Sequence, residues 1–186
     1  PTEIYTLSLH DALPIYGLTR ARTAGIPTAV VAPSKKITLS EFSRRVWSEI
    51  NPVAPDLVVM AGWMSLLQIP DAYYGKVVNV HPALIPAFCG RGMYGHHVHD
   101  AVARAGVKIT GCTVHFVDNE YDHGPIILQR AVSVDDQMTP DAIAERVQAA
   151  AREAYIEAIR LFGEGRLRID GAIVRRLDAP PADGCR

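Results

Sequence analysis

An amide, an imidazole and a carboxylate in this chain together suit chemistry at a carbonyl group. Asn79 and His81 lie two residues apart, and Asp122 follows later in the run Asp122-His123-Gly124-Pro125. Asparagine offers a neutral hydrogen-bond donor, histidine a proton that moves near pH 7, and aspartate a charge that keeps the histidine protonated. The set suits a reaction that builds negative charge on a carbonyl oxygen. Each residue taken alone also fits an ordinary turn or loop.

The elements predicted before these residues place them at the edge of a sheet. Residues 56–62 form an almost continuous apolar run, which is typical of a central parallel strand buried on both faces. The short run Lys76-Val77-Val78, whose last two residues are apolar, leads straight into Asn79, so we expect a second buried strand to end there. Open α/β sheets place their chemistry where strands end, which favours a site at Asn79 and His81.

Strands alternate with helices along the rest of the chain, which predicts an α/β fold with a mostly parallel sheet and helices on both faces. Further strands are expected over residues 28–32, 110–117 and 126–134, with a closing hairpin over 167–174. Helices are expected over residues 17–24, from a Thr38 or Ser40 cap to about Ile50, over residues 97–105, and from Pro140 behind a Thr139 cap to about Phe162. The apolar stripe of the longest helix includes Ile143, Val147, Ala151, Tyr155 and Ile159.

One predicted strand carries a histidine whose place the pattern leaves open. Along residues 110–117, Cys112, Val114 and Phe116 face one way, and Thr113 and His115 face the other. His115 therefore lies either in the core or near the site.

Composition sets bounds on the class of protein. A chain of 186 residues with 48% hydrophobic and 21% charged residues is ordinary for a soluble domain. The net charge of −1 gives no electrostatic case for nucleic acid or an anionic membrane. No apolar run approaches the ~18 residues that a membrane span needs. Three scattered cysteines without a Cys-x-x-Cys pair fit a reducing cytoplasm, where we expect a monomer or homodimer.

Residues 16 to about 170 resemble the folate-dependent formyltransferases, and most closely the branch that formylates glycinamide ribonucleotide. The motifs that carry the likeness are Tyr16-Gly17-Leu18 with Ala21 and Ala24-Gly25-Ile26; Ala54-Pro55-Asp56-Leu57-Val58-Val59-Met60-Ala61-Gly62-Trp63-Met64; Asn79-Val80-His81-Pro82-Ala83-Leu84-Ile85-Pro86; Gly111-Cys112-Thr113-Val114-His115-Phe116-Val117; and Asp122-His123-Gly124-Pro125-Ile126-Ile127-Leu128-Gln129. The resemblance implies a Rossmann-like formyltransferase fold whose first strand, loop and helix are missing from this chain.

The resemblance also implies the reaction and its residues. A formyl group would pass from 10-formyltetrahydrofolate to the amine of glycinamide ribonucleotide in purine (IMP) biosynthesis, with Asn79, His81 and Asp122 as the catalytic set and no metal. Both substrates are small molecules, and no nucleic acid or membrane takes part. The residues expected to line the folate site are Met64, Ser65, Leu66, Leu67, Asn79, Ile85, Val117, Asp118 and Asp122.

The set of residues expected to bind the acceptor is less complete in this sequence. The resemblance implies a Gly-rich loop for the acceptor phosphate, which is not found after Tyr16, and Ala151 stands where some relatives have an acidic residue. His97, His99 and Glu153 are the candidates to line the acceptor site, although Glu153 lies on another helix face than Ala151. The histidines of residues 95–100 lack an evident fourth ligand, so zinc is not expected.

Three rival functions differ in what accepts the formyl group. A formyltetrahydrofolate deformylase would use water with a similar Asn, His and Asp set. A methionyl-tRNA formyltransferase would need a basic C-terminal domain, which does not follow within this sequence. A folate-binding fragment without turnover would belong to another class of protein, and intact Asn79, His81 and Asp122 argue against it.

The first residues look foreign to the domain. Residues 2–15 match a reading-frame translation of a common short-read sequencing adapter, and they have neither the basic nor the long apolar region of a signal peptide. We therefore expect residues 1–15 to be an artefactual segment, residues 16–178 a formyltransferase domain that is incomplete at its N-terminus, and residues 179–186 a tail.

Overall fold

A computed structural model describes residues 6–8, 16–34 and 36–178 of the protein. The chain divides into two compact units. One consists of Pro1–Asp56 and Ser65–Gln68, and the other of Leu57–Met64 and Ile69–Arg186. The predicted tail and most of the segment predicted to be foreign lie outside the described residues. Within the described ranges, no helix is both long and apolar enough to cross a membrane.

The first unit combines a pair of strands with helices. Its elements are β1 (Thr6–Ser8), α1 (Tyr16–Thr23), β2 (Thr28–Val30), α2 (Leu39–Ile50) and a 3-10 turn over Asn51–Val53. Strands β1 and β2 pair in parallel. Helix α2 begins at Leu39, and of the two predicted caps it uses Thr38, whose hydroxyl accepts a hydrogen bond from the Glu41 amide at 3.1 Å. The cap satisfies one of the amides that a first helical turn leaves free.

Helix α2 buries one face and fixes a short segment beside it. Phe42, Val46 and Trp47 are buried on this face. The Trp47 indole Nε1 donates to the carbonyl oxygen of Gln68 at 2.7 Å, and the Gln68 amide donates to the Ser43 hydroxyl at 3.0 Å. The two bonds explain why residues 65–68 belong to this unit although they follow residues of the other.

The second unit is built on one mixed sheet. Its elements are β3 (Val58–Met60), a 3-10 turn over Asp71–Tyr73, β4 (Val77–His81), α3 (His96–Ala105), β5 (Ile109–Phe116), β6 (Ile126–Ser133), α4 (Pro140–Gly163), β7 (Leu167–Asp170) and β8 (Ile173–Arg176). The strands lie in the order β3-β4-β5-β6-β8-β7. Pairs β3/β4 and β6/β8 are parallel, and the other neighbours are antiparallel. Strands and helices alternate, which confirms the predicted α/β class.

Strand β3 differs from its prediction as a central strand. It pairs with β4 and stands at the edge of the six-stranded sheet. Val59 is 43% exposed as a result. A continuous apolar run predicts burial on both faces, but it does not show how many neighbouring strands are present.

Helix α4 provides the largest cover for this sheet. The Thr139 hydroxyl accepts a hydrogen bond from the Ala142 amide at 3.2 Å, which confirms the predicted cap before Pro140. Ile143, Val147 and Tyr155 are buried against the sheet as predicted. Ile159 is exposed instead, because the buried stripe continues through Ala154, Ala158 and Leu161. The helical period of ~3.6 residues moves the stripe away from a strict repeat of four.

The register of β4 and β5 fixes where the polar side chains lie. Asn79 is opposite His115, and His81 is opposite Thr113. Side chains two apart on a strand share a face, so these four side chains lie on one face of the sheet. The apolar side chains that alternate with them, including Val114, belong to the core cluster.

A close backbone contact holds the end of β5 against the next loop. The β5/β6 ladder shifts register between Val114 and His115, and the Phe116 amide donates to the Pro125 carbonyl at 2.9 Å. A Cβ atom on Gly124 would lie 2.0 Å from the Phe116 carbonyl oxygen. Glycine is therefore the residue that allows this loop to approach the strand.

We predict that Gly124→Ala destabilises the fold, because its methyl group would overlap the Phe116 backbone rather than a movable side chain. Overpacking of this kind typically costs ~1–3 kcal/mol or more. Urea unfolding of the variant should show a lower free energy of unfolding than that of the unsubstituted protein.

Gly163→Ala is the matched control, since a Cβ there meets nothing within 4 Å. Alanine is a better helix former than glycine by ~1 kcal/mol, so this variant should be as stable as the parent or more so. Equal stability of the two variants would contradict the close contact at Gly124.

Candidate active site

The His81 ring is held between two oxygen atoms. It is 3% exposed at the end of β4. Nε2 donates to the Phe88 carbonyl oxygen at 2.8 Å, and Nδ1 lies 3.4 Å from Oδ2 of Asp122. A carbonyl and an ionised carboxylate can only accept hydrogen bonds. Only a doubly protonated, positively charged imidazole satisfies both contacts.

The two residues that hold His81 both have left-handed backbones. Phe88 has a φ of 51° and Asp122 a φ of 52°. This conformation costs roughly 1–2 kcal/mol for most residues other than glycine, although aspartate tolerates it better. Strain of this kind persists where the surrounding structure imposes it, and it is concentrated at functional sites. We therefore attribute the left-handed conformation of both turns to their contacts with the His81 ring.

Asp122 provides a fixed negative charge next to the ring. Its side chain is 12% exposed, and Oδ2 accepts a hydrogen bond from the Gly90 amide at 2.9 Å. Burial raises the pKa of this carboxyl, but the His81 ring and the Gly90 amide lower it more, so that the net pKa lies below its usual value. Asp122 is therefore ionised at neutral pH.

The Asn79 side chain contacts a second histidine, His115, on the same face of the sheet. Its Nδ2 lies 3.4 Å from Nε2 of His115, which in turn is 4.0 Å from Oδ1 of Asp122. The structure thus brings together the predicted set of Asn79, His81 and Asp122. It also decides the open question about His115, which lies with the site residues and is 2% exposed.

The loop after His81 is anchored by one hydroxyl group. Thr113 Oγ1 donates to the Ala83 carbonyl at 2.7 Å and accepts from the Ile85 amide at 3.0 Å. The Gln129 side-chain amide donates to both Thr113 Oγ1 at 2.9 Å and the Ile85 carbonyl at 3.0 Å. Strands β5 and β6 therefore fix the path of the chain that carries the Phe88 carbonyl back to His81.

The loop around Asp122 contains an outer ion pair. Asp118 Oδ2 lies 2.7 Å from Nδ1 of His123, and its Oδ1 accepts from the Glu120 amide at 2.9 Å. The Asp118 carboxylate raises the pKa of the exposed His123 ring. His123 faces solvent and is distinct from the buried histidines that lie beside Asp122.

The residues predicted to line a folate site differ in their exposure. In the second unit, Met64 is exposed, while Asn79, Ile85, Val117, Asp118 and Asp122 are half-buried. In the first unit, Ser65 and Leu66 are half-buried, and Leu67 is 2% exposed. Which of these side chains contact folate stays a prediction.

The candidates for the acceptor side lie on two helices. His97 is exposed and packs edge-on against the Tyr94 ring, whereas His99 is buried with no hydrogen-bond partner for its Nδ1. Glu153 lies on the exposed side of α4. His96 lies 3.6 Å from an exposed Asp141. Across the described residues, no three His, Cys, Asp or Glu side chains gather as a metal site would require.

Sequence reasoning did not find the backbone groups of the site. The Phe88 carbonyl and the Gly90 amide hold His81 and Asp122, and neither depends on a side-chain type. His115 could have been found from the pairing of β4 and β5, because it is two residues from Thr113 on the same face.

We predict that Asp122→Asn lowers stability in a pH-dependent way. Asparagine tolerates a left-handed backbone, so the substitution removes the charge and leaves the turn. The Asp122 pKa is lower in the folded chain than in the unfolded chain, where it is ~3.9, so its charge stabilises the fold above about pH 4. The stability is lost as the pH falls through the folded pKa.

Unfolding free energies measured from pH 7 to about pH 2 test this expectation. The variant should be less stable by ~1–3 kcal/mol at pH 7, with a deficit that shrinks below about pH 4. Asp136→Asn is the control, because it removes an exposed carboxylate that pairs with Lys108 and should cost ~0–1 kcal/mol. A deficit for Asp122→Asn that does not change with pH would contradict the charged pair.

Comparison with known proteins gives several relatives of the same kind. The family model described as formyl transferase matches residues 6–159, beginning inside the segment predicted to be foreign. The phosphoribosylglycinamide formyltransferase of Escherichia coli (strain K12) is 37% identical over 156 residues, covering 83% of this chain and 71% of that protein. The chloroplastic phosphoribosylglycinamide formyltransferase of Arabidopsis thaliana is 36% identical over 82% of this chain, which spans 53% of its length.

Longer proteins and solved structures extend the likeness. The trifunctional purine biosynthetic protein adenosine-3 of Gallus gallus is 37% identical over 85% of this chain, which spans only 16% of it. The crystal structure of glycinamide ribonucleotide transformylase 1 from Symbiobacterium toebii superimposes with a TM-score of 0.83 at 39% identity, over 93% of this chain and 80% of that one. A formyltetrahydrofolate deformylase from Pseudomonas syringae has a TM-score of 0.76 at 20% identity, which shows a shared fold. With the family model matching most of its residues, the chain belongs to the formyl transferase family.

Proposed function

We propose that the protein transfers a formyl group from 10-formyltetrahydrofolate to the amine of glycinamide ribonucleotide. The observation that carries the proposal is the position of the His81 ring, which lies between a carbonyl and a carboxylate beside the Asn79 amide. This arrangement provides donors for a carbonyl oxygen that becomes negative. Both substrates are small molecules. The cytoplasmic location and the monomeric or homodimeric state stay predictions of the sequence.

The donors of the site match the charge that develops in the reaction. The amine nitrogen attacks the formyl carbon and forms a C–N bond, and the carbonyl electrons move onto the formyl oxygen. Nε2 of His81 is engaged at 2.8 Å, whereas Nδ1 is only loosely engaged at 3.4 Å. We therefore assign Nδ1–H, together with the Asn79 amide, as the donor to that oxygen. A well-placed donor of this kind is typically worth ~3–4 kcal/mol.

The remaining step returns the electrons and moves one proton. As the carbonyl reforms, the bond from the formyl carbon to the folate nitrogen breaks, and that nitrogen takes a proton in place of the formyl group. The attacking amine loses a proton in the same step. His81 can relay it: the charged ring gives its Nδ1 proton to the departing folate nitrogen and then takes the proton of the amine, and the ionised Asp122 beside it stabilises the charged ring at both ends of the step. No proton is gained or lost overall.

The choice of an amine as acceptor rests on the sequence identities to known proteins. The transferases of Escherichia coli and Arabidopsis thaliana and the transformylase structure from Symbiobacterium toebii are 36–39% identical to this chain, whereas the deformylase structure from Pseudomonas syringae is 20% identical. This difference favours an amine over water as acceptor. We infer in addition that Met64, Asn79, Ile85, Val117, Asp118 and Asp122 of the second unit line the folate site. We also infer that His97, His99 and Glu153 face the acceptor.

A product analysis with and without acceptor tests the proposal. The 186-residue protein is incubated with 10-formyltetrahydrofolate, first with glycinamide ribonucleotide and then without it. We expect tetrahydrofolate to form together with the formylated ribonucleotide, and little release when the acceptor is absent. Formate released at an equal rate without acceptor would identify a deformylase. Folate binding with no product in either case would contradict both activities.

We predict that His81→Ala lowers kcat by about 10²–10³-fold, because the charged donor is lost, while the Kd for folate changes little. His96→Ala is the matched control, since His96 is exposed and pairs only loosely with Asp141. The control should keep full activity. Turnover of His81→Ala at the parental rate would exclude the proposed mechanism.

A further inference from the structure

His115 is a buried titratable group to which the proposed mechanism assigns no role. Its ring is 2% exposed, and it stands directly opposite Asn79 in the β4/β5 ladder. The structure places its Nε2 at 3.4 Å from the amide nitrogen of Asn79 and at 4.0 Å from Oδ1 of Asp122. It is thus in contact with one predicted catalytic side chain and close to another.

The hydrogen bonds of the ring define which nitrogen carries its proton. Nδ1 lies 2.8 Å from the Phe116 carbonyl oxygen, which can only accept, so Nδ1 carries the hydrogen. In the neutral ring Nε2 is then an acceptor, and it faces the Asn79 amide nitrogen, which is a donor. Burial lowers the pKa of His115, and the charge of His81 adds to this effect, although the Phe116 carbonyl and Asp122 oppose it.

We propose that His115 is a positioning residue that sets the orientation of the Asn79 amide. An amide flipped by half a turn would point its oxygen lone pairs at the lone pair of Nε2. The neutral ring therefore keeps the nitrogen of the amide toward itself and holds the group in one orientation before substrate binds. Donors fixed in advance need no reorganisation during the reaction, which is the source of most of their effect.

The same contact makes the orientation sensitive to acid. The charged or titratable groups that face His115 are His81 on β4, and Asp122 and Asp118 in the loop after β5. A second proton would turn Nε2 into a donor. It would then repel the Asn79 amide nitrogen and favour Oδ1 of Asp122. The amide would lose its fixed orientation, and Asp122 would be shared between two charged rings.

Two substitutions separate positioning from simple packing, and the kinetic part rests on the proposed formyl transfer. His115→Phe keeps a ring of similar size but has no acceptor. His115→Gln offers a neutral oxygen acceptor that cannot become a cation. We expect His115→Phe to lower kcat by about tenfold or more, with less than about threefold change in the Kd for folate. His115→Gln should retain most of the parental kcat. As the pH is lowered, the kcat of this variant should decrease less than the kcat of the parent does.

A spectroscopic measurement tests the inference without any turnover. Nitrogen-15 NMR of the full chain at neutral pH should show His115 protonated at Nδ1 alone, with the signal assigned by its loss in His115→Gln. The side-chain amide of Asn79 should give one sharp pair of N–H signals, which broaden or shift in His115→Phe. His96→Phe is the matched control on the exposed side of α3 and should change neither measurement.

The outcomes distinguish the two proposals. A protein that transfers no formyl group, but shows the Nδ1–H ring and the ordered Asn79 amide, would overturn the proposed function and keep this inference. An active protein in which His115→Phe matches the parent in kcat would overturn the inference alone. A His115 ring protonated at Nε2 would overturn it as well.

Discussion

The site depends on one imidazole ring that has an acceptor at each nitrogen. His81 can meet the Phe88 carbonyl and the Asp122 carboxylate together only as a cation. Burying a charge is costly unless it is paired, and here the carboxylate provides that partner within a largely buried setting. The cation in turn lowers the pKa of Asp122, so each group keeps the other in its charged form.

Much of the second unit can be understood as support for this pair. The left-handed turns at Phe88 and Asp122 direct a carbonyl and a carboxylate at the ring. Thr113 fixes the first of these loops from β5, and the close approach of Gly124 to the Phe116 backbone fixes the second. The core formed by α4 and the apolar side of the sheet keeps β4 and β5 in register beneath them. The rigid strands and helix therefore support the strained turns, and the turns position the groups that act in the proposed chemistry.

The sequence predicted the features that depend on local chemistry or on a shared motif. Caps at Thr38 and Thr139 were found because their hydroxyls satisfy free amides of the first helical turn. The catalytic set was found because its residue types are specific and lie in motifs of a known family. The edge position of β3, the exposure of Ile159 and the place of His115 were not predicted, because they depend on which strands pair and which faces are covered. The backbone contacts to His81 left no signal in residue types at all.

The protonation state of His81 is the most direct test of this account. Nitrogen-15 NMR of the full chain at pH 7, with the His81 signals assigned by their loss in His81→Gln, reports on both ring nitrogens separately. Both Nδ1 and Nε2 should carry a proton. A bare nitrogen at either position would mean that one of the two oxygens does not hold the ring, and it would contradict the charged donor on which the proposed chemistry depends.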